Sequence, residues 1–306
     1  MRAYRSVVVS RREPPAPAMS TTAGDADGGA FDPLVLAGPP FSYLHPRFVR
    51  CLQRLSSFPS PEEYDELAAQ VPRASNVEVP RFVSQHREAV KQAGGYEQHV
   101  ARHRAVPTRP GSWHDFFNMV VWAHFPALRW ALNSLHVEPG AAPRDPRNGR
   151  APAQNLAASF DETGMLVVSR SRSVLEGLRG LHFKRVFWEQ RAELAPTTRF
   201  FIVGHGLLES LLSPHPRLLA RSSFIHLPES TALDDDELRQ RCDAWVAAKI
   251  QGWRQEKPLF DPIPVCAIPG FADNESAAFY DDRQRLPFDP VSRRPGPPVP
   301  FDALES

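Results

Sequence analysis

Apolar residues recur along this chain at spacings that switch between helical and extended periods. Phe48, Val49, Leu52 and Leu55 fall three or four apart, so His45 to Ser56 reads as a helix. Ser60-Pro61-Glu62-Glu63 supplies an N-cap hydroxyl, a proline for the first helical position and acids for the positive end of the dipole. The helix it opens ends before Pro72. Val77 to Val83 is short and β-prone, and Tyr96 to Arg109 fits either a helix or an extended arm. Ser112-Trp113-His114-Asp115 is a capping-box pattern that opens an amphipathic helix through His124. Pro126 interrupts that helix, and a second helical piece runs to about His136.

Past the Pro- and Gly-punctuated stretch from Pro139 to Pro152, the pattern predicts a hairpin. Ala157 to Phe160 and Met165 to Ser169 would be its strands, and Asp161-Glu162-Thr163-Gly164 its turn, with a left-handed residue. Ser173 to Gly180 and His182 to Ala192 read as helices, and Arg199 to Val203 is an apolar run of either kind. His205 to Leu212 is helical and stops before Pro214. Ser222 to Leu227 is a strand, Asp234 to Trp253 a strong helix and Ile263 to Ile268 a buried strand.

This mixture predicts an α+β fold: one helix-dominated domain over residues 31–290 with a small mixed or antiparallel sheet. Residues 1–30 have the Pro, Ala, Gly, Ser and Thr content of a disordered tail, and residues 291–306 are expected to form a loose C-terminal one. Met19 opens Met-Ser-Thr-Thr-Ala-Gly and is an alternative start to Met1, which would make residues 1–18 dispensable.

Composition narrows the function classes. The chain has 306 residues, 42% hydrophobic and 23% charged, which excludes a wholly disordered or fibrous protein. Basic and acidic residues number 36 and 35, for a net charge of +1, so no global field draws it to nucleic acid. Only four of the basic residues are lysine, a bias toward arginine that the acids balance. The three cysteines, Cys51, Cys242 and Cys266, form no Cys-x-x-Cys pair; this argues against a disulfide framework and fits a reducing, cytoplasmic setting. The longest apolar stretch, Trp113 to Leu135, carries His114, Asp115, Asn118, His124, Arg129 and Asn133, so no membrane span is expected.

Four groups of residues could carry chemistry. His114 and Asn118 lie one turn apart beside Asp115. His205 and Glu209, in Gly204-His205-Gly206-Leu207-Leu208-Glu209, stand four apart at a helix start; this segment lacks the serine of a nucleophile elbow. Asp161 and Glu162 would sit at the hairpin tip, and Asp273 and Asn274 lie in an acidic, aromatic-interleaved segment after the last strand. Imidazole and carboxylate together suit a divalent metal. In one reading His114, Asp115, His205 and Glu209 are catalytic, with His114, His205 and Glu209 as ligands for metal-assisted hydrolysis and Asn118, Asp161, Glu162, Asp273 and Asn274 as substrate contacts. In the other the protein is a non-catalytic interaction or accessory protein, and the same residues lock turns and helices. The sequence fixes neither a cofactor nor a substrate.

The ordered succession of Trp113-His114-Asp115-Phe116-Phe117-Asn118, Phe125-Pro126, Asn133-Ser134-Leu135-His136, Phe160-Asp161-Glu162-Thr163-Gly164, Gly204-His205 with Glu209, Ile268-Pro269-Gly270 and Phe279-Tyr280-Asp281-Asp282 resembles a proteobacterial family of unknown function, numbered 3025 among such domains. Ala267 departs from a position where that family tends to have glycine. The resemblance spans about Phe31 to Pro287 and implies one continuous domain of a soluble bacterial protein, with no activity attached.

Overall fold

A computed structural model of the chain describes residues 31–74, 77–138, 140, 144–228, 234–256, 258–286 and 302–303. The expectations for residues 1–30, including the choice between Met1 and Met19, lie outside the described residues, as does most of the expected C-terminal tail.

Two short 3-10 turns lead into α1 (Pro46–Leu52) and α2 (Pro61–Ala68). Ser60 caps α2 as its spacing predicts: its hydroxyl accepts from Glu63 N, and the Glu63 carboxylate accepts from Ser60 N at 2.7 Å. Next come β1 (Arg81–Ser84), α3 (Arg87–Gln92), α4 (Tyr96–His103) and β2 (Ala105–Thr108), with β1 and β2 paired in parallel. The ambiguous stretch Tyr96 to Arg109 is therefore both a helix and a strand. Arg104, left-handed at φ 51°, makes the switch.

The apolar α5 (Trp113–His124) and α6 (Pro126–Val137) follow, broken at Phe125, where Pro126 cannot extend the hydrogen-bond ladder. Then α7 (Pro152–Thr163) runs with no loop into β3 (Gly164–Ser169). This overturns the predicted hairpin. Pro152 opens α7, Gln154 Oε1 accepts from Ala151 N at 2.9 Å, and Ala153, Ala157 and Phe160 bury one helical stripe. The acidic residues read as a turn are the last turn of that helix. Gly164 is extended at φ −69° and not left-handed.

The chain continues through α8 (Arg172–Arg179), a π turn (Arg185–Glu189), α9 (Arg191–Thr197), β4 (Thr198–Ile202), α10 (His205–Ser210) and β5 (Leu219–His226). The helix expected over His182 to Ala192 is replaced by that π turn and the start of α9. Last come α11 (Asp235–Gln251), β6 (Asp261–Pro264), α12 (Ala277–Asp281) and β7 (Asp302–Ala303). The strand expected over Ile263 to Ile268 starts earlier and gives way to a 3-10 turn at Val265.

The fold is α+β and helix-dominated, with one small mixed sheet in the order β4-β3-β5-β6 beside the β1-β2 pair. β3 pairs antiparallel with β4 and parallel with β5. The other edge of β5 is shared: Leu219–Ser222 pair antiparallel with β6, and Ile225–His226 pair in parallel with β7. β3 is buried along its whole length, which suits its uninterrupted Met-Leu-Val-Val run. A contiguous apolar core extends from Leu36 to Leu286.

Candidate metal centre

Three elements converge on one cluster: the first turn of α5, the last turn of α7 and the first turn of α10. Gly204 and Gly206 permit this approach. A Cβ on Gly204 would stand 2.5 Å from Gly164 N and 2.6 Å from Glu162 O, and one on Gly206 would stand 2.3 Å from Glu162 Oε2. α10 thus starts directly against the α7–β3 junction, where Val203 N and Gly204 N both donate to Gly164 O.

His114 and His205 face each other with their Nε2 atoms 3.0 Å apart. The outward nitrogen of each ring meets a carboxylate. His114 Nδ1–H donates to Glu209 Oε2 at 2.8 Å, and His205 Nδ1 stands 3.6 Å from Asp161 Oδ1. Glu162 Oε1 lies 3.6 Å from His205 Nε2. One donor atom from each of His114, Glu162 and His205 falls within 4.8 Å of the other two. Two imidazole nitrogens on a tetrahedral zinc, each at about 2.0–2.1 Å, would stand about 3.3 Å apart. The pair is therefore already spaced for a shared ion.

The two rings differ electrostatically. The hydrogen bond to Glu209 raises the His114 pKa against the opposing effect of desolvation, whereas burial pushes His205 down to about 3. A neutral His205 with its proton on Nδ1 offers a lone pair at Nε2.

Around the cluster is a cavity of about 270 Å³, lined almost wholly by polar side chains, among them Arg109, Asp115, Asn118, Arg129, Asp161 and Glu162. Asp115 does not join the histidines. Its carboxylate locks Arg109: Oδ2 takes Arg109 N (2.6 Å) and Nε (3.0 Å), and Oδ1 takes Nη2 (2.8 Å). Its own N–H donates to Ser112 Oγ, so the capping box is only half formed. Asn118 bridges Tyr96 Oη and Arg129 Nη2 at 2.7 and 2.9 Å. The buried Arg129 pairs with Asp161 and lies over the Trp122 ring.

The structure thus gathers His114, Asp115, Asn118, Asp161, Glu162, His205 and Glu209, all singled out from sequence, and redistributes their places. Glu209 sits on the far nitrogen of His114 and not beside the two Nε2 atoms; Glu162 stands beside them instead. Asp273 and Asn274 are not among the cavity-lining residues. Asn274 is fully buried, donates to Cys266 O and Ile268 O, and pins the loop before α12. Sequence reading did not single out Arg109, Tyr96 or Arg129 as site residues. Arg129 and Asn133 leave a signal, a polar i, i+4 stripe on an otherwise apolar helix; Arg109 and Tyr96 leave none.

A search of curated proteins and a search of solved structures each return no match. The sequence model of one family, described as a protein of unknown function (DUF3025), matches residues 80–288, which include every residue of the cluster. With more than half of its length so matched, the chain belongs to the DUF3025 family.

Proposed function

We propose that His114, His205 and Glu162 bind one divalent metal ion and that the centre performs metal-assisted hydrolysis of a small molecule. The observation that carries this reading is the arrangement of the two rings. Both Nδ1 atoms are turned to carboxylates and both Nε2 atoms to a common point, and on His114 the carboxylate is hydrogen-bonded as outer partners of metal-binding histidines are. Two histidines and one carboxylate match catalytic zinc sites and, less commonly, ferrous ones. Three protein ligands leave a further position for water, whose pKa an ion such as zinc lowers to about 7, and the polar cavity gives it room. His114 and His205 supply neutral donors, Glu162 the negative charge; Glu209 holds the His114 ring by a hydrogen bond, and Asp161 faces His205 Nδ1 from 3.6 Å.

A second reading keeps the cluster free of metal, as a histidine pair sharing one proton at 3.0 Å, and the protein as a non-catalytic accessory. Elemental analysis of purified protein, followed by zinc titration of chelator-treated protein, separates the two. One ion per chain, lost in His205→Ala, supports the metal centre; a chain that neither retains nor takes up metal overturns it. We also place the protein in the cytoplasm. The free state of Cys51, Cys242 and Cys266 supports this, and among the described residues no helix is long and apolar enough to cross a membrane.

A further inference from the structure

We propose that Arg109 is the substrate-recognition residue of this centre and that the substrate carries a small oxyanion group, a carboxylate or a phosphate. The inference rests on the metal-centre reading and adds the chemical class of what the centre takes.

A guanidinium has two hydrogen-bonding edges that match a planar oxyanion. Asp115 consumes one of them, the Nε–Nη2 edge, in a bidentate pair, and takes the Arg109 backbone N–H as well. Asp115 is buried in the first turn of α5 and is itself held by Ser112. The guanidinium is therefore fixed in place before any ligand arrives. Its outer edge, Nη1 with the second Nη2 proton, has no hydrogen-bond partner among the described residues. The side chain is 57% exposed and lines the same cavity as His114, Glu162 and His205.

The other charges in the cavity are already committed. Arg129 pairs with Asp161, Glu97 accepts from Asn133 Nδ2 at 2.6 Å, and Glu162 faces the ion position. What remains on offer to a ligand is a pre-oriented cationic edge and the ion. A cavity of about 270 Å³ suits a small molecule or group. A ligand with one anionic end would set that end on Arg109 and present its reacting centre toward the metal-bound water. Pre-paid orientation of the guanidinium reduces the entropy lost on binding.

The test is calorimetric titration of inorganic phosphate, and separately of malonate, into zinc-loaded and chelator-treated full-length protein, with zinc stoichiometry measured on each sample. At least one of the two probes is expected to bind the zinc-loaded wild type, and which one binds distinguishes phosphate from carboxylate chemistry. Arg109→Gln is expected to weaken that binding by about tenfold or more with zinc stoichiometry unchanged. Arg109→Lys, which keeps a cation for Asp115 but loses the fork, is expected to fall between them and guards against a folding artefact in the glutamine variant. Zinc binding with no response to either anion, or equal anion affinity in all three proteins, overturns the proposal and leaves the metal centre standing. Arg109-dependent anion binding in a protein that takes up no zinc retains the anion site and overturns the metal centre.

Discussion

Two clusters in this protein are built from the same residue types and end differently. One surrounds His124: its Nε2 accepts from His45 N, its Nδ1–H donates to Val120 O, and Arg239 donates to its carbonyl oxygen and to Pro72 O. Beside it Asp243 accepts from Ala127 N and Leu128 N, capping α6. Most of these bonds end on the backbone of a neighbouring element. The other cluster, around His114 and His205, is held mainly by side chain on side chain: Glu209 on His114, His114 on His205, Arg109 on Asp115, Arg129 on Asn118 and Asp161; among these, Asp115 also accepts one backbone N–H, that of Arg109. Backbone groups must be paired wherever the fold buries them, so a side chain spent on them is part of the architecture. Side chains that hold one another around an open cavity are not needed for that purpose. Identity of residue type alone does not separate the two; the partner does.

The comparison can be broken, and the largest effect belongs to the architectural cluster. Asp243→Ala leaves two buried α6 amides without an acceptor and is expected to cost about 3 kcal/mol of stability in urea denaturation. Protein that remains folded should bind zinc as the wild type does. Equal loss of zinc binding would erase the distinction between the clusters. Glu162→Gln is the converse. It should reduce zinc affinity by more than about a hundredfold, beyond what loss of an outer partner typically does. The unfolding free energy of the zinc-free protein in urea should change by under about 1 kcal/mol.

Gly206→Ala tests the same side chain indirectly. Its new Cβ would fall 2.3 Å from Glu162 Oε2 and must displace the carboxylate. Zinc affinity is expected to fall by roughly tenfold to a hundredfold, read by competition with a chromogenic chelator. An unchanged affinity would place the third ligand elsewhere.

The smallest effect is in pH. Burial, reinforced by the charge of Arg239, holds His124 down to about 3. The folded state therefore binds fewer protons there than the unfolded state below about pH 6.5, and stability falls as pH drops through that range toward 3. Asp243, raised to about 7 by burial, has the opposite sign: its contribution is present at low pH and is lost as pH rises through 7. His124→Gln is expected to flatten the acid limb of the zinc-free protein's stability curve without altering its zinc affinity near neutrality. A steeper limb would show that another group governs acid unfolding.

Much of the fold is legible locally. Ser60 and Ser112 cap the helices their positions predict, and Pro126 breaks α5 from α6 as its missing N–H requires. The hairpin misreading has a physical source. Asp-Glu-Thr-Gly is good turn chemistry, but Pro152, Gln154 and the stripe Ala153, Ala157 and Phe160 outvote it over a longer window. That error set Glu162 among the substrate contacts and not beside the histidines, since a residue on a turn tip has no reason to face α10. The site itself depends on contacts between residues 91 and 95 positions apart, His114 with His205 and with Glu209. Local pattern identifies these as chemically capable but not which nitrogen each offers.

The loopless passage from α7 into β3 has a further consequence. Each residue of an α-helix turns the next by about 100°, whereas each residue of a strand reverses its side chain. Glu162 lies two residues before Gly164, so its heading is geared to the register of the central strand. A strand is free to vary in length at a loop; here there is no slack to absorb a change. A single inserted or deleted residue at this joint would swing the carboxylate away from the histidines while the core stayed apolar throughout. The spacing of Glu162 from the β3 core is thus a constraint on how chains of this fold can diverge in length and still keep the cluster intact.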